Sequence, residues 1–199
     1  MSKEAQNLYP MHALLIRRWS PRAFRSDNIP EEKLRTLFEA ARWSASGGNQ
    51  QPWRFILGTN GDESFSKILD SLDDGNRSWA QNAPVLVLSV GKKTQNRNDR
   101  PNSSYRYDLG QAVAHLSIQA TEEGLYVHQM GGFNPDLCRQ AFSIPPDFDP
   151  ITVFAVGFLG DPSQLEGNNR IRETEPRQRM AFDEFVFSGT FGQPSSLFP

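Results

Sequence analysis

At 199 residues the chain has the size of one domain, or of one protomer in an interlocked dimer, and is long enough to bury a substantial core. Its formal charge of -2 and isoelectric point near 5.9 exclude a global basic field, so nucleic acid binding would require a local patch. Cys138 is the only cysteine, which excludes an intramolecular disulfide and fits a reducing cytoplasm.

The N-terminal stretch carries Lys3 and Glu4, then a short apolar patch before Arg17. This pattern predicts neither a signal peptide nor a membrane span, and therefore a soluble cytoplasmic protein. From about Glu31 to Ala45, Leu34, Leu37, Phe38 and Ala41 recur at helical spacing behind Pro30 and two glutamates, predicting a helix with one core-facing side. Small and carboxamide residues follow in Ser44-Ala45-Ser46-Gly47-Gly48-Asn49-Gln50-Gln51, and Arg54 to Leu57 reads as a strand.

A helix is expected over Asp62 to Leu72 and a buried strand over Val85 to Val90. Asn96 to Ser104 is the most polar stretch and reads as a mobile loop over an opening. Leu109, Val113, Leu116 and Ala120 mark a central helix from Asp108 to Glu123, stopped by Gly124 and long enough to serve as a dimer spine. Leu125 to Met130 reads as a strand, Pro135 to Phe142 as a short helix, and Ile151 to Leu159 as a buried strand before Gly160-Asp161-Pro162. The tail from about 188 to 199 has aromatics and glycines but little periodicity; it is either a dimer arm or a frayed end.

Three segments carry chemistry. Arg18-Trp19-Ser20-Pro21-Arg22-Ala23-Phe24 places two guanidinium groups around a small hydroxyl; Arg177-Gln178-Arg179 supplies two more near the C-terminus; the Ser44 to Trp53 stretch lies between them. Arginines and short polar side chains are suited to a phosphorylated ligand, because guanidinium forks match phosphate geometry. Taken singly, each arginine has an ordinary reading as a solvated surface charge. His12, His115 and His128 show no metal-ligand spacing and read as structural histidines, so no metal site is expected. Neither a Walker loop nor a Gly-x-Gly-x-x-Gly fingerprint is present. A nucleic acid patch built from Arg17-Arg18 and Arg97 to Arg106 is disfavoured by the acidic balance.

In this order the three segments resemble the nitroreductase family of FMN-dependent oxidoreductases, with its early Arg-x-Ser-x-Lys/Arg-x-Phe, its Ser-x-x-Asn-x-Gln-Pro-Trp and its late Lys/Arg-x-Arg. The resemblance runs from about Arg17 to Gly192 and implies one FMN-binding domain over 1-199. The implied fold is α+β, in three layers: a central mixed, mainly antiparallel sheet flanked by helices, in an interlocked homodimer. It also implies resident FMN, NADH or NADPH as a transient co-substrate, ping-pong hydride transfer through flavin N5, and a small electron acceptor such as a nitroaromatic or quinone. Dehalogenation, flavin destruction and flavin storage on the same fold remain alternatives.

By the same resemblance Arg18, Ser20, Arg177 and Arg179 contact the cofactor phosphate and ribityl chain. Arg22 is the catalytic candidate, a cation beside the N1/C2 edge of the ring. The loop bearing Ser44, Ser46, Asn49 and Gln51 approaches the flavin from the partner subunit, and Asn76 corresponds to a family Asn near the flavin edge. Gln129, Met130 and Gly131 stand where the family directs backbone amides toward N5. There Gln129 and Gly131 depart from the usual Pro or Glu. Trp19 replaces the Arg or His of many relatives, and either packs over the cofactor or fills the core.

Overall fold

The computed structural model describes residues 3–198. The helices are α1 (Ala13–Arg17), α2 (Glu31–Arg42), α3 (Glu63–Asp70), α4 (Asp74–Ala80), α5 (Tyr105–Glu122), α6 (Pro135–Ala141) and α7 (Gly167–Thr174). The strands are β1 (Trp53–Thr59), β2 (Val85–Lys92), β3 (Tyr126–Met130) and β4 (Phe148–Gly157). The strands form one sheet in the order β1-β2-β4-β3. The expected mixed, mainly antiparallel sheet is antiparallel at every pairing among these four strands.

The sequence explains the layering. β2 is buried along almost its whole length, and β4 over its C-terminal half, so both faces need cover. Because side chains alternate along a strand, Val85, Val87, Phe154, Val156 and Val127 point into one core with Leu37, Ala41, Leu109, Val113 and Leu116 of α2 and α5. Leu86, Leu88, Val90, Val153, Ala155 and Met130 point into the opposite core with Phe65, Ile68, Trp79 and Cys138 of α3, α4 and α6. The result is an α+β sandwich of three layers.

Local signals set the element ends. α3 begins at Asp62, whose carboxylate accepts the Phe65 N–H at 2.6 Å and also the Thr59 N–H at 2.8 Å. α6 begins at Asn134, which caps Asp136 and Leu137. α5 ends where Gly124 adopts φ 75°. The sequence expectation placed the end of α2 three residues too late: helix gives way at Trp43, before the small-residue stretch. It also omitted α1, α4 and α7, whose short lengths leave too few apolar repeats to show a period.

The loop from Asn96 to Ser104, expected as a mobile cover, is mostly exposed and is fastened at its start to a neighbouring loop. Asn96 donates its backbone N–H to Gln50 Oε1 (2.7 Å) and its Nδ2 to the Gln50 carbonyl (2.6 Å), and Arg97 reaches the Gly48 carbonyl at 3.3 Å. Polar residues are used here to fasten one loop to another. In the tail, Ser188 and Gln193 close a turn and Phe187 bridges Pro194, while Phe182 stacks on Phe198 and both meet Tyr9 edge-on. Phe191 stays 92% exposed.

Gly58 shows how closely α3 lies on β1: a Cβ there would come within 2.3 Å of the Phe65 backbone nitrogen. Because backbone cannot swing aside, Gly58→Ala is expected to cost about 2 kcal/mol or more and to lower the melting temperature by roughly 4–8 °C. Thermal melts of the two proteins measure this, and an unchanged midpoint would contradict the packing.

Candidate functional site

The two ends of the chain meet at an arginine cluster. Arg18 follows α1 and is half-buried, and its Nη1 lies 3.5 Å from Ser20 Oγ. Arg177 donates Nη1 to two backbone carbonyls, those of Lys3 and Ile16, each at 3.0 Å. Burial lowers the Arg18 pKa, and Arg179 lowers it further; burial likewise lowers that of Arg177, followed by repulsion from Arg18 and Arg179. Among the described residues none of the three reaches a carboxylate at ion-pair distance. Gln178, Arg179 and Met180 line a shallow, open surface depression that Arg18 and Arg177 do not border. Three cations held together without an acid form a receptor for an anion.

Arg22 lies along the same extended segment, half-buried and, among the described residues, with no carboxylate at ion-pair distance. Burial lowers its pKa, Glu173 opposes that and Arg172 adds to it. Glu173 of α7 is only 2% exposed and accepts the backbone N–H groups of Arg22 (2.8 Å) and Ala23 (3.1 Å). On the other side His128 Nδ1 lies 2.7 Å from the Pro21 carbonyl. A carbonyl only accepts, so Nδ1 carries the proton. The His128 ring packs on Trp79 at 4.5 Å, and its pKa falls from 6.5 to about 4, through burial first and then Arg22, against the opposing hydrogen bond to Pro21.

Of the remaining expected residues, Trp19 is 6% exposed, meets Tyr126 edge-on and lies under the Lys3 ammonium, so it fills the core. Gln129 is exposed at the end of β3, whereas the Met130 side chain is buried and its carbonyl accepts from Thr152 Oγ1 at 2.7 Å. Gly131 is exposed, and Asn76 joins this corner by donating Nδ2 to the Gly132 carbonyl at 3.0 Å. A Cβ on Gly132 would come within 2.7 Å of the Asn76 and Asp73 side-chain ends, so a larger residue there would displace them.

The loop of Ser44, Ser46, Asn49 and Gln51 lies elsewhere. Gly47 donates its N–H to Asp108 in the first turn of α5, where Ser104 Oγ also binds, whereas Arg17 beside the cluster pairs with Glu122 at the far end of that helix. The helical rise puts these ends about 21 Å apart. The loop also leads into edge strand β1, across the sheet from β3, about 14 Å at ordinary strand spacing. Within one chain, therefore, the loop and the cluster are separate.

The loop is nevertheless held in a costly shape: Gly48, Asn49 and Gln51 have φ of 55°, 55° and 47°. Asn tolerates this region, but Gln rarely adopts it. Ser46 Oγ accepts the Gln51 N–H at 3.0 Å and helps to fix it. Ser44 Oγ and Trp19 Nε1 are two of the four buried side-chain polar atoms without a partner among the described residues. The arginines of the first and last expected segments fit an anionic ligand, and the orphaned Ser44 Oγ and left-handed backbone of the loop make a second, separate polar surface.

Sequence reasoning missed Glu173, Asp108 and the binding role of His128 toward the 18–24 segment. Asp108 was detectable, since it shares the apolar stripe of α5 with Ala112 and Leu116. His128 alternates with Met130 on the inward face of β3. Glu173 carries no such signal, lying among charged residues in a short helix.

Fold and site together define an α+β protein with a phosphate-suited arginine cluster at the edge of a three-layer sandwich. The chain matches the sequence profile described as the Nitroreductase family over residues 15–73 and 61–158, and it belongs to that family. It is 33% identical over 149 residues to an "Uncharacterized 15.4 kDa protein in ask 5'region" from Mycolicibacterium smegmatis, covering 71% of this chain and 99% of the relative. A Xanthomonas oryzae protein with the provisional name NADH dehydrogenase/NAD(P)H nitroreductase is 26% identical over 182 residues, 81% of this chain and 87% of its own. A solved structure of an oxidoreductase containing FMN superposes with a TM-score of 0.89 at 34% identity, covering 96% of this chain and 98% of its own. No described helix is long and apolar enough to cross a membrane.

The buried imidazole predicts a pH response. Between pH about 6.5 and about 4 the unfolded chain protonates His128 while the folded one resists, so stability is full above this window and falls with pH by up to about 3 kcal/mol. His128→Asn removes that component, and urea midpoints measured from pH 7.5 to pH 4 should show a flatter profile than the parent.

Proposed function

We propose that this protein is an FMN-dependent oxidoreductase that takes reducing equivalents from NADH or NADPH and passes them, by ping-pong turnover, to a small acceptor such as a nitroaromatic or quinone. The whole of 1-199 acts as one FMN-binding domain in a cytoplasmic homodimer. The observation that carries the reading is the cluster of Arg18, Arg177 and Arg179, which has no acidic partner among the described residues. The FMN named for the structural neighbour and the nicotinamide substrates named for the Xanthomonas relative support it.

Bound FMN would supply a centre that accepts and returns a hydride equivalent. Arg18, Arg177 and Arg179 would hold its phosphate through charge-assisted hydrogen bonds, with Ser20 beside them. Arg22 would set a fixed positive charge at the ring's pyrimidine edge, favouring the electron-rich state without moving a proton. Gln129, the Met130 and Gly131 backbone and Asn76 would border the opposite edge.

Ser44, Ser46, Asn49 and Gln51 would reach the same ligand from a second copy. The separation of about 21 Å along α5 supports that division of labour, as does the exposed row of Tyr107, Gly110 and Ala114 on the same helix. Small residues in such a row let two helices approach closely.

Loss of one charge-assisted phosphate contact corresponds to about ten- to a hundredfold in affinity. Arg18→Ala and Arg177→Ala should therefore weaken FMN binding by that factor while leaving riboflavin, which lacks the phosphate, nearly unaffected. Fluorescence quenching titrations with both flavins measure this; equal losses for the two would place the phosphate elsewhere. In anaerobic stopped flow the yellow dimer should bleach with NADH or NADPH, and Arg22→Ala should retain flavin but bleach at least about tenfold more slowly. Bound flavin that neither nucleotide bleaches would favour storage over turnover.

A further inference from the structure

We propose that His128 and Glu173 together form a clamp on the Pro21–Arg22 peptide unit and are positioning residues that aim the Arg22 guanidinium. The inference rests on the flavin-facing role given to Arg22 above. His128 Nδ1 donates to the carbonyl of that peptide at 2.7 Å, and Glu173 Oε2 accepts its N–H at 2.8 Å. Both clamping side chains are buried, at 8% and 2% exposure, and they arrive from β3 and α7.

A peptide unit is planar, so holding its oxygen and its hydrogen fixes the orientation of the whole plane. Glu173 Oε1 also takes the Ala23 N–H at 3.1 Å, which ties down the next peptide. With both flanking planes set, φ and ψ of Arg22 are fixed and so is its Cα–Cβ direction. The Arg22 side chain makes none of the structure's hydrogen bonds or ion pairs among the described residues, so its direction comes from the backbone rather than from a partner at its tip. A buried carboxylate is costly unless its oxygens are satisfied, and these two are occupied by backbone donors of one dipeptide. The Trp79 ring against His128 holds the imidazole in place.

The test separates aim from packing. In an imidazole, Nδ1 occupies the place of the Asn side-chain nitrogen, so His128→Asn keeps the donor to Pro21. His128→Gln is closer in volume but moves the donor outward. The FMN-loaded dimer of His128→Gln and of Glu173→Gln should be reduced by NAD(P)H about ten- to a hundredfold more slowly than the parent. The midpoint potential of the bound flavin should shift negative, as in Arg22→Ala. His128→Asn should be reduced faster than His128→Gln. In an Arg22→Ala background both clamp substitutions should have almost no further effect on rate or potential, because the group they aim is gone.

Hydrogen exchange of the Arg22 and Ala23 amides in the flavin-free protein gives an independent readout, and Glu173→Gln should accelerate both. If Glu173→Gln does not fold, the His128 pair alone decides. A slow Arg22→Ala enzyme with parent-like His128→Gln, or effects that simply multiply in the double variant, would overturn the clamp and leave the Arg22 role intact. A parent-like Arg22→Ala enzyme would overturn the Arg22 role and with it the purpose of the clamp.

Discussion

The antiparallel pairing of β2 with β4 is the constraint from which the architecture follows. Both strands bury apolar side chains on both faces, so neither can border solvent, and helices must cover the sheet twice. With α2 and α5 on one side and α3, α4 and α6 on the other, the shorter strands β1 and β3 are left as the edges. The candidate site segments gather at those edges: the strained loop leads into β1, and His128 with Gln129 lies on β3. Rigid strands place the groups, while the irregular backbone beside them presents the chemistry.

Much of this architecture was legible because its period was long or its residues unambiguous. The eighteen residues of α5 repeat their apolar positions often enough to show a helix, and Val85 to Val90 is continuously apolar because it is buried on both sides. Short helices such as α4 and α7 lack that repetition. The arginines of the site were legible as a set because their spacing matched a family pattern, but their assembly in space was not. Nothing in Arg177 alone says that it will bind the carbonyls of Lys3 and Ile16. At the Asn96 loop polarity signalled solvent exposure correctly but could not show that Asn96 also binds a second loop, where Gln50 supplies matching partners.

The site opposes the rest of the molecule energetically. Several exposed arginines pair with acids, as Arg77 does with Asp70 and Arg106 with Asp149. Arg18 and Arg177 are instead partly buried beside one another, near the exposed Arg179, and Gln51 holds a backbone conformation that its side chain disfavours. Carbonyls compensate part of this cost at Arg177, and a hydroxyl does so at Gln51. Local conflict of this kind is what separates a binding surface from a merely stable one.

The bonds from Arg177 to Lys3 and Ile16 span 174 and 161 residues of sequence. During synthesis the N-terminal half of the arginine cluster leaves the ribosome long before its partner, and the sheet has all four strands before Arg177 exists. Contacts of such separation form late, since the entropy of closing so large a loop is recovered only when the rest is in place. The proposed anion site is therefore completed only at the last stage of chain synthesis, and a nascent chain stalled before Arg177 would carry the sandwich without the late half of the arginine cluster.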